Sequence, residues 1–142
     1  MEDRTKHKVE QLLKSARLRR TKARSDILGA LLEAHQPLTR EQISERIGAC
    51  APNKVTIYRA METFVAADIV HKAFVQDRTW YFELSHHCTT DQCHPHFSCT
   101  SCGRTDCLHE LSIPMTADSG GYIIQHQRVQ LEGLCPKCSK SA

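Results

Sequence analysis

Two C-x-x-C pairs, Cys99-Thr100-Ser101-Cys102 and Cys135-Pro136-Lys137-Cys138, stand 32 residues apart in a chain of 142. Together they offer four thiolates to one tetrahedral ion, the donor set that zinc prefers. Four thiolates leave no open coordination position, so such a site is structural rather than catalytic. Directly upstream, Cys93-His94-Pro95-His96 is a second cluster of metal-ligand side chains. On a strand, His94 and His96 turn their rings to the same side and can share an ion. Cys93 and Cys107 are weaker sulfur candidates, because cysteines often pack simply as small hydrophobes. A closed site beside a second ligand set suggests a protein that holds one metal permanently and senses another.

Other chemistries find no support. A zinc deaminase needs H-x-E followed by P-C-x-x-C; here the proline lies inside the second pair and no H-x-E precedes it. There is no Ser-centred elbow, P-loop or dinucleotide fingerprint. The expectation is a protein that is not an enzyme.

The elements that must carry these residues fall into two halves. Seven of the eight cysteines and six of the nine histidines lie after residue 85. The first half reads as helical. Residues 5–17 suit a polar leading helix. Ile27, Leu28, Leu31 and Leu32 repeat at helical spacing, and Gln36-Pro37-Leu38 ends that run. Thr39 with Gln42 forms a capping-box start for a third helix, which carries Ile43 and Ile47 inward and stops at Gly48. Asn53 caps a fourth helix to about Ala67, with Ile57, Ala60, Met61, Phe64 and Val65 on its inner face. Lys54, Thr56, Tyr58 and Arg59 are left outward near its start. The period then changes: residues 69–75 and 79–84 read as a β-hairpin closed by Gln76-Asp77-Arg78. Helices followed by a two-stranded wing make a winged helix-turn-helix. In the second half, short strands are expected near 96–100, 104–108, 122–127 and 129–134, with a short helix over 110–119. So little apolar content buries a small core, and a bound zinc would supply what the core lacks.

Charge divides the same way. Residues 1–85 hold 15 Lys/Arg against 11 Asp/Glu, whereas residues 86–142 hold 4 against 5. Nine basic residues and a single acid, Glu10, fall within residues 4–24. A basic first half fits a polyanionic partner, and a solvated basic helix face fits the same numbers. No apolar run approaches the roughly 18 residues of a membrane span. The opening Met1-Glu2-Asp3-Arg4 lacks an apolar signal region. Cysteine-rich but signal-less, the chain is expected to work in a reducing cytoplasm.

The runs Arg19-Arg20-Thr21-Lys22-Ala23-Arg24, Val55-Thr56-Ile57-Tyr58-Arg59, Tyr81-Phe82-Glu83-Leu84, His94-Pro95-His96-Phe97-Ser98-Cys99-Thr100-Ser101-Cys102-Gly103 and Gly133-Leu134-Cys135-Pro136-Lys137-Cys138 resemble, in order, the ferric uptake regulator family. The resemblance covers about residues 17–138. It implies an α+β chain: an N-terminal winged helix-turn-helix DNA-binding domain (residues 1–85) and a small C-terminal α/β dimerisation domain with a four-cysteine zinc site (residues 86–142). It implies a homodimeric, metal-responsive repressor that binds double-stranded operator DNA and does not enter a membrane. By position, Cys99, Cys102, Cys135 and Cys138 match the structural zinc ligands. Tyr58 and Arg59 match the pair that reaches bases, and Arg24 matches a basic residue near the DNA backbone, with Arg19, Lys22, Lys54 and Thr56 as neighbouring candidates. Glu83, His94 and His96 match the core of a regulatory metal site between the domains, and His71 falls where zinc-uptake regulators place a further ligand.

The chain also departs from the family. Pro37 replaces a helical histidine of iron-type members, and Cys107 replaces an acidic ligand. A further dimer-domain site is lost, with Pro95, Pro114 and Gln127 at three of its positions. Fewer oxygen and more sulfur donors shift preference from iron or manganese to zinc. The expected regulatory ion is therefore a second divalent metal, zinc, held by His71, Glu83, His94 and His96 with Cys93 or Cys107 as the sulfur substitute. Competing readings are an iron- or peroxide-sensing regulator of the same family, a thiol-based redox sensor using Cys88, Cys93 or Cys107, and a zinc-storage module without a DNA role. The basic leading segment and outward Tyr58-Arg59 argue against the last.

Overall fold

The structure, a computed structural model, describes residues 2–85, 92 and 94–141. The chain forms two compact units, residues 1–85 and 86–142. The first contains α1 (Asp3–Ser15), α2 (Lys22–Ala34), α3 (Arg40–Ile47), a 3-10 turn at Gly48–Cys50, α4 (Lys54–Ala66), β1 (Val70–Gln76) and β2 (Thr79–Leu84). The second contains β3 (His96–Cys99), β4 (Thr105–Cys107), β5 (Gln130–Gly133) and the single-turn α5 (Pro136–Ser139).

The helices α2, α3 and α4 each start at a side-chain cap. The Thr21 and Asn53 side chains accept hydrogen bonds from the N–H groups of Arg24 and Thr56, capping α2 and α4. Thr39 and Gln42 form the full reciprocal box at α3, at 3.1 and 3.0 Å. Arg17 and His35 take left-handed backbone after α1 and α2, the conformation that turns a chain out of a helix.

The largely polar α1 still docks by burying Val9 and Leu13, four residues apart on one face. These meet a core of Ile27, Leu28 and Leu31 from α2, Ile43 from α3, and Ile57, Met61 and Phe64 from α4. Val65, expected on the inner face of α4, is half-buried and packs at the edge of this core.

The wing is antiparallel, pairing Val70 with Leu84 and Gln76 with Thr79. Leu38 exchanges two backbone hydrogen bonds with Phe82, at 2.9 and 2.8 Å, so the segment before α3 is tied to β2. Asp77 and Arg78 close the hairpin with φ of 50° and 62°. Positive φ at both central residues is the geometry of a type I′ turn, which matches the twist of the strands it joins.

In the second unit the strand order is β4-β3-β5, with β3 antiparallel to β4 and parallel to β5. Two expectations fail here. Residues 110–119 form no helix: Pro114 lacks an N–H to donate and disfavours helical backbone at Ile113. Residues 122–127 form no strand, making isolated bridges at Tyr122 with Ser119 and Gln127 with Gln92. Tyr122 and Ile123 are both 78% exposed in the single chain. The α5 turn went unforeseen, although Cys135 before Pro136 is a cap followed by the proline suited to a first helical position.

The turn gives a stability prediction. Arg78 carries a Cβ in left-handed backbone, which a glycine would not. Arg78→Gly is expected to stabilise the protein by several tenths of a kcal/mol to about 1 kcal/mol. The check is a higher urea midpoint at unchanged m-value; a lower midpoint contradicts the turn assignment.

Candidate metal centres and nucleic-acid interface

The four-cysteine cluster is built by one parallel strand pair. Cys99 ends β3 in register with Gly133 at the end of β5. The chain leaves β3 through a tight turn in which the Gly103 N–H returns to the Cys99 carbonyl at 3.0 Å, with Gly103 at φ 75°. That turn presents Cys102. On the other strand, Cys135 follows Gly133 by two residues, and α5 turns Cys138 back towards it. The Thr100 N–H donates to the Gly133 carbonyl at 2.8 Å, locking the two exits together.

The ligand atoms of Cys99, Cys102, Cys135 and Cys138 all lie within 4.8 Å of one another, with Cys102 and Cys135 sulfurs 3.9 Å apart. Zn–S bonds of about 2.3 Å in a tetrahedron separate sulfurs by about 3.8 Å, so donor type and spacing both suit zinc.

The local polar groups pull the thiols of the cluster in opposite directions. Backbone N–H groups, of Cys102 first and then of Cys135, hold the Cys99 thiol down to about 6 against the opposing effect of burial. The Cys138 N–H, 3.4 Å from the Cys135 sulfur, lowers Cys135. The hydrogen bond with Cys135 pushes Cys138 up to about 12. Without an ion the cluster therefore shares protons among its sulfurs, and an ion must displace them.

At the opposite end of β3 lies a second donor group. His96, 1% exposed, pairs across the antiparallel ladder with Cys107. His94 stands two residues before it, its ring centroid 4.8 Å from that of His96. The ligand atoms of His94, His96 and Cys107 lie within 4.8 Å of one another. The His109 ring comes 4.4 Å from His94. His109 escaped the sequence reading; it lies in the turn two residues past the end of β4, where no strand alternation marks it. Cys93, with Cys88, His86 and His87, lies outside the described residues.

On the wing of the first unit, His71 and Glu83 are cross-strand partners, and His71 Nε2 meets the Glu83 carboxylate at 2.8 Å. Ser85 Oγ lies 3.5 Å from the other ring nitrogen. The carboxylate is thus buried but hydrogen-bonded, as a buried charge requires.

Gln127 accepts from the Thr116 N–H and hydroxyl at 2.9 and 2.7 Å, and its amide donates to Pro114 and Gln92. Where the resemblance implies a lost metal site, an amide network holds the loop.

The candidate nucleic-acid face lies on α4. Ile57, Ala60, Met61 and Phe64 take its buried side. Lys54, Tyr58 and Arg59 are exposed, and Thr56 is half-exposed. Of the other basic candidates, exposed Arg19 accepts through its carbonyl a 2.8 Å hydrogen bond from Arg24 Nη1. The Lys22 ammonium lies 2.6 Å from Asp26, whose hydrogen bond raises its pKa.

A winged helix followed by a thiolate-rich metal unit defines a metal-responsive, DNA-binding regulator. The chain belongs to the ferric uptake regulator family, whose sequence pattern matches residues 15–131. It is 26% identical over 136 residues to the peroxide operon regulator of Bacillus subtilis (strain 168), covering 92% of this chain and 90% of that one. Identity to a peroxide-responsive repressor of Staphylococcus epidermidis is 24%, over 94% of this chain and 92% of the relative. Among solved structures, its fold is similar to a zinc uptake regulator complexed with zinc and DNA, with a TM-score of 0.68, 20% identity and coverage of 99% and 98%. The ferric uptake regulator of Vibrio cholerae aligns with a TM-score of 0.60 and 25% identity over 89% of this chain and 98% of that one. No helix among the described residues is long and apolar enough to cross a membrane.

The cluster chemistry makes a signed prediction. At neutral pH an ion must displace the Cys138 proton, so metal affinity rises with pH; below about 6 Cys99 also protonates and the fall becomes steeper. Competition with a chromophoric chelator between pH 5 and 8 measures this, and pH-independent affinity contradicts it. Cys138→Ser is expected to remove about one zinc per chain and unfold the second unit, read by metal analysis and circular dichroism.

Proposed function

We propose that the protein is a zinc-responsive transcriptional repressor, acting in the cytoplasm as a homodimer that binds operator DNA when a regulatory zinc is in place. The observation that carries this reading is the donor chemistry at the start of β3: two imidazoles and a thiol from His94, His96 and Cys107 within 4.8 Å. Nitrogen with sulfur favours zinc over the oxygen-seeking metals. Glu83 is proposed as the fourth ligand, closing a tetrahedral set of two nitrogens, one sulfur and one oxygen. His71 then acts by holding the Glu83 carboxylate through their 2.8 Å contact, as partners of metal-binding carboxylates commonly do. Cys99, Cys102, Cys135 and Cys138 hold a separate structural zinc.

Regulation on this reading is linkage. An ion that takes ligands from both units has different affinities for different arrangements of those units, and DNA binding prefers one arrangement. Metal and DNA therefore strengthen each other's binding by the same factor. The second unit supplies the dimer, so two α4 helices meet one operator. Tyr58 and Arg59 read base edges, Lys54 and Thr56 flank them, and Arg19, Lys22 and Arg24 face phosphates. An arginine donates two hydrogen bonds to a guanine edge, which makes Arg59 the discriminating residue.

Peroxide response is the runner-up, suggested by the names of the relatives rather than by the donor set. The two readings separate in a gel shift titrated with zinc, iron and manganese, with and without hydrogen peroxide. Release of DNA by peroxide at saturating zinc would favour the redox reading.

Two substitutions test the assignment by residue. His96→Ala should keep the four-cysteine zinc, the fold and the dimer, yet lose metal-activated operator binding. Unchanged zinc dependence in that variant places the switch elsewhere. Arg59→Ala should cost about 1–3 kcal/mol of discrimination between operator and mismatched duplex, measured by fluorescence anisotropy. Full retention of discrimination rejects the role of α4.

A further inference from the structure

One cation in the first unit is placed for reasons that helix stability does not supply. Arg40 is the first residue of α3, where a positive charge opposes the helix dipole. Its guanidinium lies 4.7 Å from the ring centroid of Tyr58 and 5.3 Å from that of Phe82. Both contacts fall within cation–π range. Phe82 is fully buried in β2 and Tyr58 is 49% exposed on α4. Arg40 therefore joins the fixed base of the wing to the solvent-facing ring of the candidate reading helix.

Its backbone is held equally well. Thr39, just before it, is in the reciprocal capping box, and Leu38 is tied to Phe82 by two backbone hydrogen bonds. The neighbouring carboxylates do not consume the charge. A groove of about 620 Å³ runs between α3 and α4, with Glu41 and Glu45 on one wall and Lys54 and Tyr58 on the other. Among the described residues no carboxylate lies within ion-pair distance of the guanidinium. Arg40 is the cation of an otherwise acidic wall, beside the Tyr58 ring at the start of α4.

We infer that Arg40 is a second DNA-binding determinant, one that clamps the Tyr58 ring with the face of its guanidinium and contacts a backbone phosphate with its N–H edge. The inference rests on the proposed reading of α4 and adds to it. The two roles use different properties of one side chain. The ring contact is best made by a planar cation that can stack, which arginine supplies and lysine supplies less well; the phosphate contact needs a positive charge, which both supply. Specificity at the Tyr58 step then depends on a residue that touches no base.

The test compares Arg40→Ala, Arg40→Lys and Arg59→Ala in the full chain. Binding to operator and to unrelated duplex is measured across a salt series, with thermal melts to confirm folding. Arg40→Ala should reduce the slope of log affinity against log salt by about one on both duplexes. It should also reduce operator preference by about 2–5-fold, the range of an exposed cation–π contact. Arg40→Lys should keep the slope and lose part of the preference. A double-mutant cycle of Arg40→Ala with Tyr58→Ala should be non-additive for operator and additive for unrelated duplex. If both Arg40 variants fold and match the parent in slope and preference while Arg59→Ala loses discrimination, the Arg40 inference is wrong and the reading of α4 stands. If Arg59→Ala also retains discrimination, the reading of α4 falls and takes this inference with it.

Discussion

The second unit depends on the parallel pairing of β3 with β5, because it alone brings the two C-x-x-C pairs together. Beyond Leu84, the buried positions among the described residues are Pro95, His96, Ser98, Cys99, Thr105 and Cys135. None is a leucine, isoleucine, valine or phenylalanine. A unit so poor in buried hydrocarbon offsets little of its conformational entropy by burial within one chain. Structural zinc contributes about 10–16 kcal/mol of apparent binding energy in small zinc-folded peptides, comparable to the whole stability of an ordinary domain. An ion on the four cysteines would take the place of a core here. The first unit is the opposite case, with a continuous apolar core reaching from Val9 to Leu84.

That contrast explains what the sequence revealed. Where apolar periodicity and capping residues agreed, as at Thr39–Gln42 and from Asn53 through Phe64, helices were legible to within a few residues. The hairpin was legible from its change of period. The four-cysteine cluster was legible because thiolate spacing is itself the signal. Residues 110–127 were misread because their apolar residues suggested a helix that Pro114 disfavours and a strand where the chain makes only isolated bridges. His109 and Arg40 were invisible for another reason: their roles come from tertiary neighbours, and no local pattern marks a guanidinium that will lie between Tyr58 and Phe82. The left-handed turn at Asp77-Arg78 lacks glycine, so its position could be read but its type could not.

Strand β3 ties the two donor groups together. His96 begins it and Cys99 ends it, so an ion held by the cysteines fixes the backbone that orients His96. The parallel partner, β5, pairs with both ends, His96 with Gln130 and Cys99 with Gly133. On the proposed reading, this four-residue strand would be a short lever between a permanent metal and an exchangeable one. Preorganising imidazoles in this way reduces the ordering cost of metal capture, which favours tight binding over a floppy chelate.

The 32-residue gap between the cysteine pairs also sets a timetable. At 5–20 residues per second, the second pair leaves the ribosomal catalytic centre roughly 2–7 s after the first. Over that interval Cys99 and Cys102 form a bidentate thiolate without its complement, while the helical first unit already has every residue it needs. Two thiolates impose no tetrahedral geometry, so the nascent site cannot select by shape. Which metal reaches it first is decided by what the compartment supplies in exchangeable form. On that timetable, the fidelity of a finished cluster would be inherited partly from the metal supply during synthesis.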